Sequence, residues 1–444
     1  MLYVETYWHG MTTYYSDILD IQHPRMASYT YGEYGNDYML ALISECHKVG
    51  IEVHAWVELL KAGFNEDTNP PYIEPEWLCR DLEGNYEGFV DPSNPEVTEF
   101  LKLMIGEMIN KYDFDGISYD YIRYSETGDS AGYIDSGFSE YSIKSFSEQY
   151  GYNNGNLIND LKTDTALREQ WHSFKRNSIT ALVASMSGHI RSIDPEMIIS
   201  ASPYGYIDDA RDIYMQDIDA WLRMGYLDVV LPMLYTENVE LLTISAADYE
   251  KYSQMVLQYT GIAPLYNGAS LSTHQELVSA INDLNISGVS LFASQNYITK
   301  NPENNQKILR VLSSTTHRGS AVSPTADANE IFSAWRDQLF DRYQRIYSSR
   351  MTENERRIIE SFNSDTILHI NNPKDLMNIL SILETFKEQV SKFGDTAVKD
   401  RITEQIDYIY TILDASISRY LIRYGYWDVQ ASAERPDVYT LNFE

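Results

Sequence analysis

Cysteine is nearly absent from this chain: its 444 residues include only Cys46 and Cys79. Two such thiols make neither a metal-ligand spacing nor a disulfide framework. Cys46 falls on an apolar helical face and reads as a buried thiol. Positive charge is also scarce. Lys and Arg number 34 against 65 Asp and Glu, a net charge of −31. Such a surface repels nucleic acid and anionic lipid, which argues against a nucleic-acid role. No run approaches the roughly 18 apolar residues of a membrane span. The chain has no Gly-x-Ser-x-Gly elbow and no phosphate-cradling glycine loop. There are nine histidines but no strand-borne His-x-His, since Trp56 stands two positions after His54. A catalytic metal or other cofactor is therefore not expected. No charged and apolar signal segment opens the sequence.

What is present is enough apolar material for a sizeable core, 43% of the residues, and an abundance of tyrosine, 36 in all. A tyrosine ring has a flat apolar face and a polar tip, which suits sugar rings as well as core packing.

The stretch around which the chain is organised is Tyr112-Asp113-Phe114-Asp115-Gly116-Ile117-Ser118-Tyr119-Asp120-Tyr121-Ile122-Arg123-Tyr124. It follows an amphipathic helix opened by Asn94 as N-cap and Pro95 at the first helical position. Side chains alternate along a strand, so Ile117 and Tyr119 take one face, Ser118 and Asp120 the other. In a parallel α/β barrel the second face turns inward, which carries Asp120 to the C-terminal rim with Arg123 and Tyr124 just beyond. Asp115 then sits at the opposite end, holding the start of the strand.

Similar strands are read at Leu2–Trp8, Ile51–Glu58, Met197–Tyr204, Asp228–Tyr235, Ile262–Asn267 and Val289–Ser294. Helical patterns separate them, including a long excursion over 139–193 and helices near 217–224, 273–285 and 303–315. Alternating strand and helix predict a parallel sheet. Seven strands are one short of a TIM-type (β/α)₈ barrel. The series ends on a helix, so the expectation is an α/β barrel over 1–315 that lacks its first βα unit. Residues 316–329, rich in Ser, Thr and Ala, read as a linker. From 330 to 425 the pattern is wholly helical and predicts an all-α bundle, with Thr352-Glu353-Asn354-Glu355 as a capping box. Residues 426–444 read as a polar tail or the start of a further β module.

Inward side chains at the strand ends form a convergent set: Glu5, Tyr7, His54, Trp56, Glu58, Asp120, Arg123, Tyr204, Tyr235 and Asn267. Carboxylates flanked by aromatic rings and an arginine are what glycoside hydrolysis requires. One carboxyl group protonates the departing oxygen, and the other attacks the anomeric carbon or activates water.

Val53-His54-Ala55-Trp56, Asp91-Pro92-Ser93-Asn94-Pro95-Glu96-Val97 and the Asp120 stretch resemble the glycosyl-hydrolase-like family 10 proteins. Trp171 with Arg176, Ser202-Pro203 and Pro232-Met233-Leu234-Tyr235 follow the same pattern in the same order. The resemblance covers roughly 1–315. It implies a (β/α)₈ barrel acting on a bacterial cell-wall glycan or related polysaccharide, and a secreted or envelope location. Family members begin with one further strand and helix, and often carry two adjacent acids where this chain has Asp120-Tyr121.

By that resemblance Asp120 is the nucleophile or principal carboxylate. Its partner is expected to be Glu58, with Glu237 and Glu5 as the alternatives; a Glu58–Arg123 ion pair is the structural reading of the same residues. Tyr124 joins the residues expected to bind substrate. Two rivals stand beside the hydrolase: a non-catalytic carbohydrate-binding protein on a degenerate barrel, and a scaffold that meets a protein partner through its helical bundle.

Overall fold

The computed structural model describes residues 1–20, 26, 30–47, 51–63, 72–125, 136–195, 197–253, 255–298, 308, 328–343, 347–365, 373–423, 431–432 and 435–439. The chain forms two compact units, Met1–Tyr235 and Thr236–Glu444.

In the first unit, strands β1 (Leu2–Trp8), β3 (Val53–Glu58), β6 (Gly116–Asp120), β7 (Ile198–Ala201) and β8 (Val229–Val230) lie side by side in that order, every neighbouring pair parallel. A two-residue strand β2 (Met11–Thr12) pairs antiparallel with β1 on the outer edge. Helices fill the crossovers, as parallel pairing requires. The outward residues Val53, Ala55, Val57, Ile117 and Tyr119 are all buried.

Asn94 caps the helix Pro95–Lys111, its side chain accepting the Glu96 N–H at 2.9 Å. Asp115 holds the start of β6: its Oδ2 accepts the Val53 N–H at 2.7 Å and lies 2.9 Å from His47 Nε2. The helical excursion divides into Glu140–Tyr150, Leu157–Thr163 and Thr165–Ile193. Trp171 is fully buried there, stacked on Phe138 with centroids 5.1 Å apart.

The second unit holds β9 (Leu257–Ile262) and β10 (Gly288–Leu291), again parallel, with helices Val239–Ala247 and Leu271–Asn282. Four further helices, Ala328–Arg342, Glu353–Asp365, Pro373–Val390 and Thr396–Arg423, enclose their own apolar core. Ile331, Trp335, Ile359, Leu383, Phe386, Ile402 and Ile406 lie in it, and Phe362 stacks on Phe386 at 4.0 Å. The capping box forms: Thr352 N donates to Glu355 Oε2 at 2.7 Å, and Glu355 N to Thr352 Oγ1 at 3.3 Å.

Several expectations need correction. The strand read at 262–267 runs instead over Leu257–Ile262, and residues 264–268 form a turn. The polar Gln258 and Thr260, both buried, hide that strand in the sequence. The stretch after Lys61, read as a loop, contains an antiparallel hairpin of β4 (Leu78–Arg80) and β5 (Tyr86–Val90). Cys46 is half-buried, while Cys79 is fully buried. The linker expected at 316–329 lies outside the described residues as far as 327, and so does the helix at 303–315 apart from Ile308. The tail carries a short antiparallel ladder, Ala431–Ser432 with Arg435–Tyr439. Among the described residues there is no eighth parallel strand.

Candidate active site

Strand registers arrange the inward side chains of the first unit in layers. Tyr3, His54 and Gly116 are matched in the lowest, Glu5, Trp56, Ser118 and Ser200 in the next, and Glu58 and Asp120 at the C-terminal end. Paired residues on neighbouring strands stand about 4.8 Å apart. Glu58 and Asp120 are thus direct neighbours across β3 and β6, and both are buried, with 4% and 6% of their surface exposed.

Asp120 is ringed by donors. Trp56 Nε1 donates to Oδ2 at 3.1 Å, and the Tyr121 N–H to Oδ1 at 2.6 Å. Tyr121 adopts a positive φ of 49°, which a non-glycine residue seldom does outside tight turns and functional sites. Burial pushes the Asp120 carboxyl up from its ordinary value, while the Tyr121 N–H, the Arg123 charge and the Trp56 N–H pull it back. The Arg123 guanidinium lies between two rings, 5.1 Å from Tyr121 and 5.2 Å from Tyr214.

Glu58 sits in a different environment. Its Oε2 accepts the His9 N–H at 2.9 Å and lies 3.6 Å from His9 Nδ1. Burial pushes its carboxyl up to about 7, a rise opposed by the His9 N–H and by Lys61 and reinforced by the charges of Asp120 and Glu5. His9 itself is lowered to about 4, by burial and then by Lys61, so its ring is neutral near pH 7. Glu5, one layer below, is also raised, by burial and then by Asp120. Glu58 and Asp120 are buried and Glu5 is exposed; neighbouring acids held this close cannot all ionise cheaply.

His9 and Gly10 explain the contact to Glu58. They are the two residues between Trp8 and Met11, with φ of 48° and 78°, as in the primed turns that close tight hairpins. That turn points the His9 amide at Glu58. A two-residue X-Gly link between strand-forming residues was the available signal. Lys61 is the other contributor that sequence reasoning missed. It bridges antiparallel to Phe89 of the hairpin, and its Nζ lies 4.5 Å from that ring. Gly88 allows this approach: a Cβ there would fall 2.6 Å from the Gly63 carbonyl and 2.9 Å from Lys61 Nζ.

His54 and Tyr124 lie away from the carboxylates, and Tyr7 is out of strand register though near Glu58. His54 is fully buried two layers below Glu58, its ring 5.0 Å from Tyr3 and close against Gly116. Each same-face step along a strand is about 7 Å, so His54 is part of the sheet interior. Tyr7 is displaced by a bulge: the register passes from Glu5↔Trp56 to Tyr7↔Val57, which sets it beside an outward residue. Tyr124 turns down beneath Lys175, whose Nζ is 5.1 Å from its ring, and packs closely on Gly137. Tyr204 stands after β7, half-buried, and Tyr235 closes the first unit with its side chain partly exposed. Glu237 and Asn267 belong to the second unit, Glu237 exposed in a bend before helix Val239–Ala247 and Asn267 exposed in the turn after β9. Among the described residues no group of three or more His, Cys, Asp or Glu side chains could hold a metal ion.

Residues 1–268 match the sequence profile of the family described as Glycosyl hydrolase-like 10. The chain belongs to this family. Glycosyl hydrolase DigH of Escherichia coli O6:H1 is 24% identical over 235 residues, covering 45% of this chain and 46% of that protein. Glycosyl hydrolase YngK of Bacillus subtilis is 24% identical over 226 residues, covering 45% and 39%. The chain thus spans less than half the length of these curated relatives. A solved β-galactosidase from Rahnella sp. R3 superposes with a TM-score of 0.42 at 12% identity, over 64% of this chain and 48% of its own. Family membership supports a glycosidase-type function. No described helix is long and apolar enough to cross a membrane.

Proposed function

We propose that this protein is a glycoside hydrolase of a bacterial cell-wall glycan or a related polysaccharide, with Asp120 and Glu58 as its working pair. The observation that carries the reading is the register match of these two buried carboxyl groups on neighbouring strands; burial raises both, and the Tyr121 N–H, Arg123 and the Trp56 N–H oppose the rise at Asp120. Acid and base assignments follow from carboxyl groups whose surroundings push them apart. Glu58, raised to about 7, keeps its proton in mildly acidic solution and gives it to the departing glycosidic oxygen. Asp120 receives the Trp56 and Tyr121 N–H groups and the field of Arg123, all of which favour its ionised form. It attacks the anomeric carbon as the C–O bond breaks, and water, deprotonated by Glu58, then releases the sugar. Neighbouring strands about 4.8 Å apart favour the retaining geometry, in which the carboxyl groups stand about 5–5.5 Å apart. Glu5 is the reserve carboxylate, one layer below. An envelope or extracellular location accords with such a substrate and with the family.

The deciding experiment compares the protein with Asp120→Asn on peptide-free peptidoglycan glycan strands and a polysaccharide panel. Asp120→Asn keeps the shape and removes the charge. Cleavage should fall by at least about 10³-fold while glycan binding persists. Undiminished cleavage by the variant would remove Asp120 from the chemistry. Binding with no cleavage by either protein would favour the carbohydrate-binding reading.

A further inference from the structure

From Asp120 a chain of aromatic rings runs along the rim of the first unit and continues well past the carboxylates. Tyr121 follows Asp120 directly, and its ring and that of Tyr214 flank the Arg123 guanidinium. Tyr214 meets Tyr204 with centroids 4.3 Å apart, and Tyr204 meets Tyr206 at 5.6 Å. On the other side of Tyr121 the series extends to Phe89, 6.1 Å away. Tyr121, Tyr204, Tyr206 and Tyr214 are all half-buried. Burial raises the hydroxyls of Tyr204 and Tyr206, so both remain neutral groups able to donate and accept hydrogen bonds at neutral pH.

These rings come from loops that have no reason in local sequence to meet. A buried amide joins them. Gln216 is 1% exposed; its Oε1 accepts the Tyr204 N–H at 2.8 Å and its Nε2 donates to the Ile122 carbonyl at 3.3 Å. One side chain thereby ties the loop after β6, which carries Tyr121 and Arg123, to the loop after β7, which carries Tyr204 and Tyr206. Tyr214 lies two residues before Gln216, with Met215 between them at a φ of 60°. A strained residue and a satisfied buried amide at the same corner indicate a wall held in one shape.

We propose that Tyr214, Tyr204 and Tyr206 form an extended stacking track for the sugar chain, so that the site requires an oligosaccharide with several units beyond the reacting pair. This rests on the glycoside hydrolase reading and deepens it. Amphipathic rings with polar tips suit sugar faces and hydroxyls. Chain length, read by Tyr206 at the far end, is then a specificity determinant, and Gln216 is a positioning residue for the track.

The test measures binding of size-fractionated peptide-free glycan oligosaccharides to the full chain carrying Asp120→Asn, which removes turnover from the readout. Affinity should rise from disaccharide to tetrasaccharide to hexasaccharide. Adding Tyr206→Ala should weaken the hexasaccharide about tenfold, which is ~1.4 kcal/mol, and the disaccharide less than about twofold. Gln216→Leu should flatten the length dependence in the same way. Tyr141→Ala, an exposed tyrosine on the helix Glu140–Tyr150, is the control and should change nothing. Affinity independent of chain length, or an equal effect of Tyr206→Ala on every length, would overturn the track. Cleavage by the parent protein alongside length-independent binding would leave the hydrolase standing without the track. Absence of binding at every length would overturn the track on cell-wall glycan, and cleavage across the polysaccharide panel would then decide the hydrolase reading by itself.

Discussion

The strand ends of the first unit and the helical bundle of the second use carboxylates in opposite ways. At the strand ends Glu5, Glu58 and Asp120 are all raised, burial being the leading cause for each. In the bundle Glu355 is lowered, chiefly by the N–H groups of Thr352 and Gly394 that it accepts. Asp395 is lowered too, with the Val398 N–H leading and Arg350 contributing. Backbone imbalance follows the same division. His9, Tyr121 and Met215 take positive φ in the first unit, whereas the bundle helix at Glu353 begins with a reciprocal capping box. One region holds charge where it is costly, and the other where it completes the helix ends. Costly charge in an aromatic setting is what an active site needs; capped charge is what a bundle needs.

The largest expected break in that comparison is Glu58→Gln. Cleavage should fall by roughly 10²–10⁴-fold. Stability should move the other way in a pH-dependent manner. Between the unfolded value near 4.5 and the folded value of about 7, the folded state holds a proton that the unfolded chain has lost. Parent stability therefore declines as pH rises through that window, by on the order of 3 kcal/mol for this group. Thermal melts at pH 4.5 and pH 8 should show the variant gaining on the parent only at the higher pH. A parallel loss at both would show that Glu58 carries no proton into the neutral range. The same protonation should appear as an alkaline limb in kcat/KM near pH 7.

Glu355→Gln should show the reverse sign with a smaller size. Its carboxylate is lowered, so its contribution is full above the unfolded value and is lost as pH falls through the folded one. The variant should lose about 1 kcal/mol at pH 7, with the gap closing in acid. Urea unfolding at the two pH values reads this directly.

The finest adjustment is Trp56→Phe. Losing the Nε1 donor to Asp120 disfavours the ionised carboxylate, so the acid limb of the activity profile should move up by roughly 0.5–1 pH unit. An unmoved acid limb would mean that Asp120 does not set it.

The shared face of the candidate carboxylates is legible in the sequence because strand periodicity is strict. Once β3 and β6 were recognised, Trp56, Glu58 and Asp120 had to share a face, and Asp115 had to lie at the far end. Periodicity failed where the chain departs from a regular strand. The bulge at Thr6 moved Tyr7 to a new partner, and the turn at Tyr121 sent Tyr124 inward. His54 shares the face of Glu58 but lies two layers below it, a distance that alternation alone does not weigh. Asn267 reads as a strand-end residue because the buried polar residues of β9 conceal the strand before it. The bundle was readable for the simpler reason that helix period, capping box and apolar stripe are all local signals.

The sequence by itself therefore determined the element types, the parallel alternation, the face on which the acids lie and the acidic, tyrosine-rich chemistry, since each depends on neighbours a few residues apart. Only the tertiary structure decided that Glu58 and Asp120 stand opposite one another, that the His9 amide reaches Glu58, and that Gln216 gathers Tyr121, Tyr204 and Tyr214 into one wall. Those facts depend on register and on loop contacts between residues tens of positions apart, which no local pattern encodes.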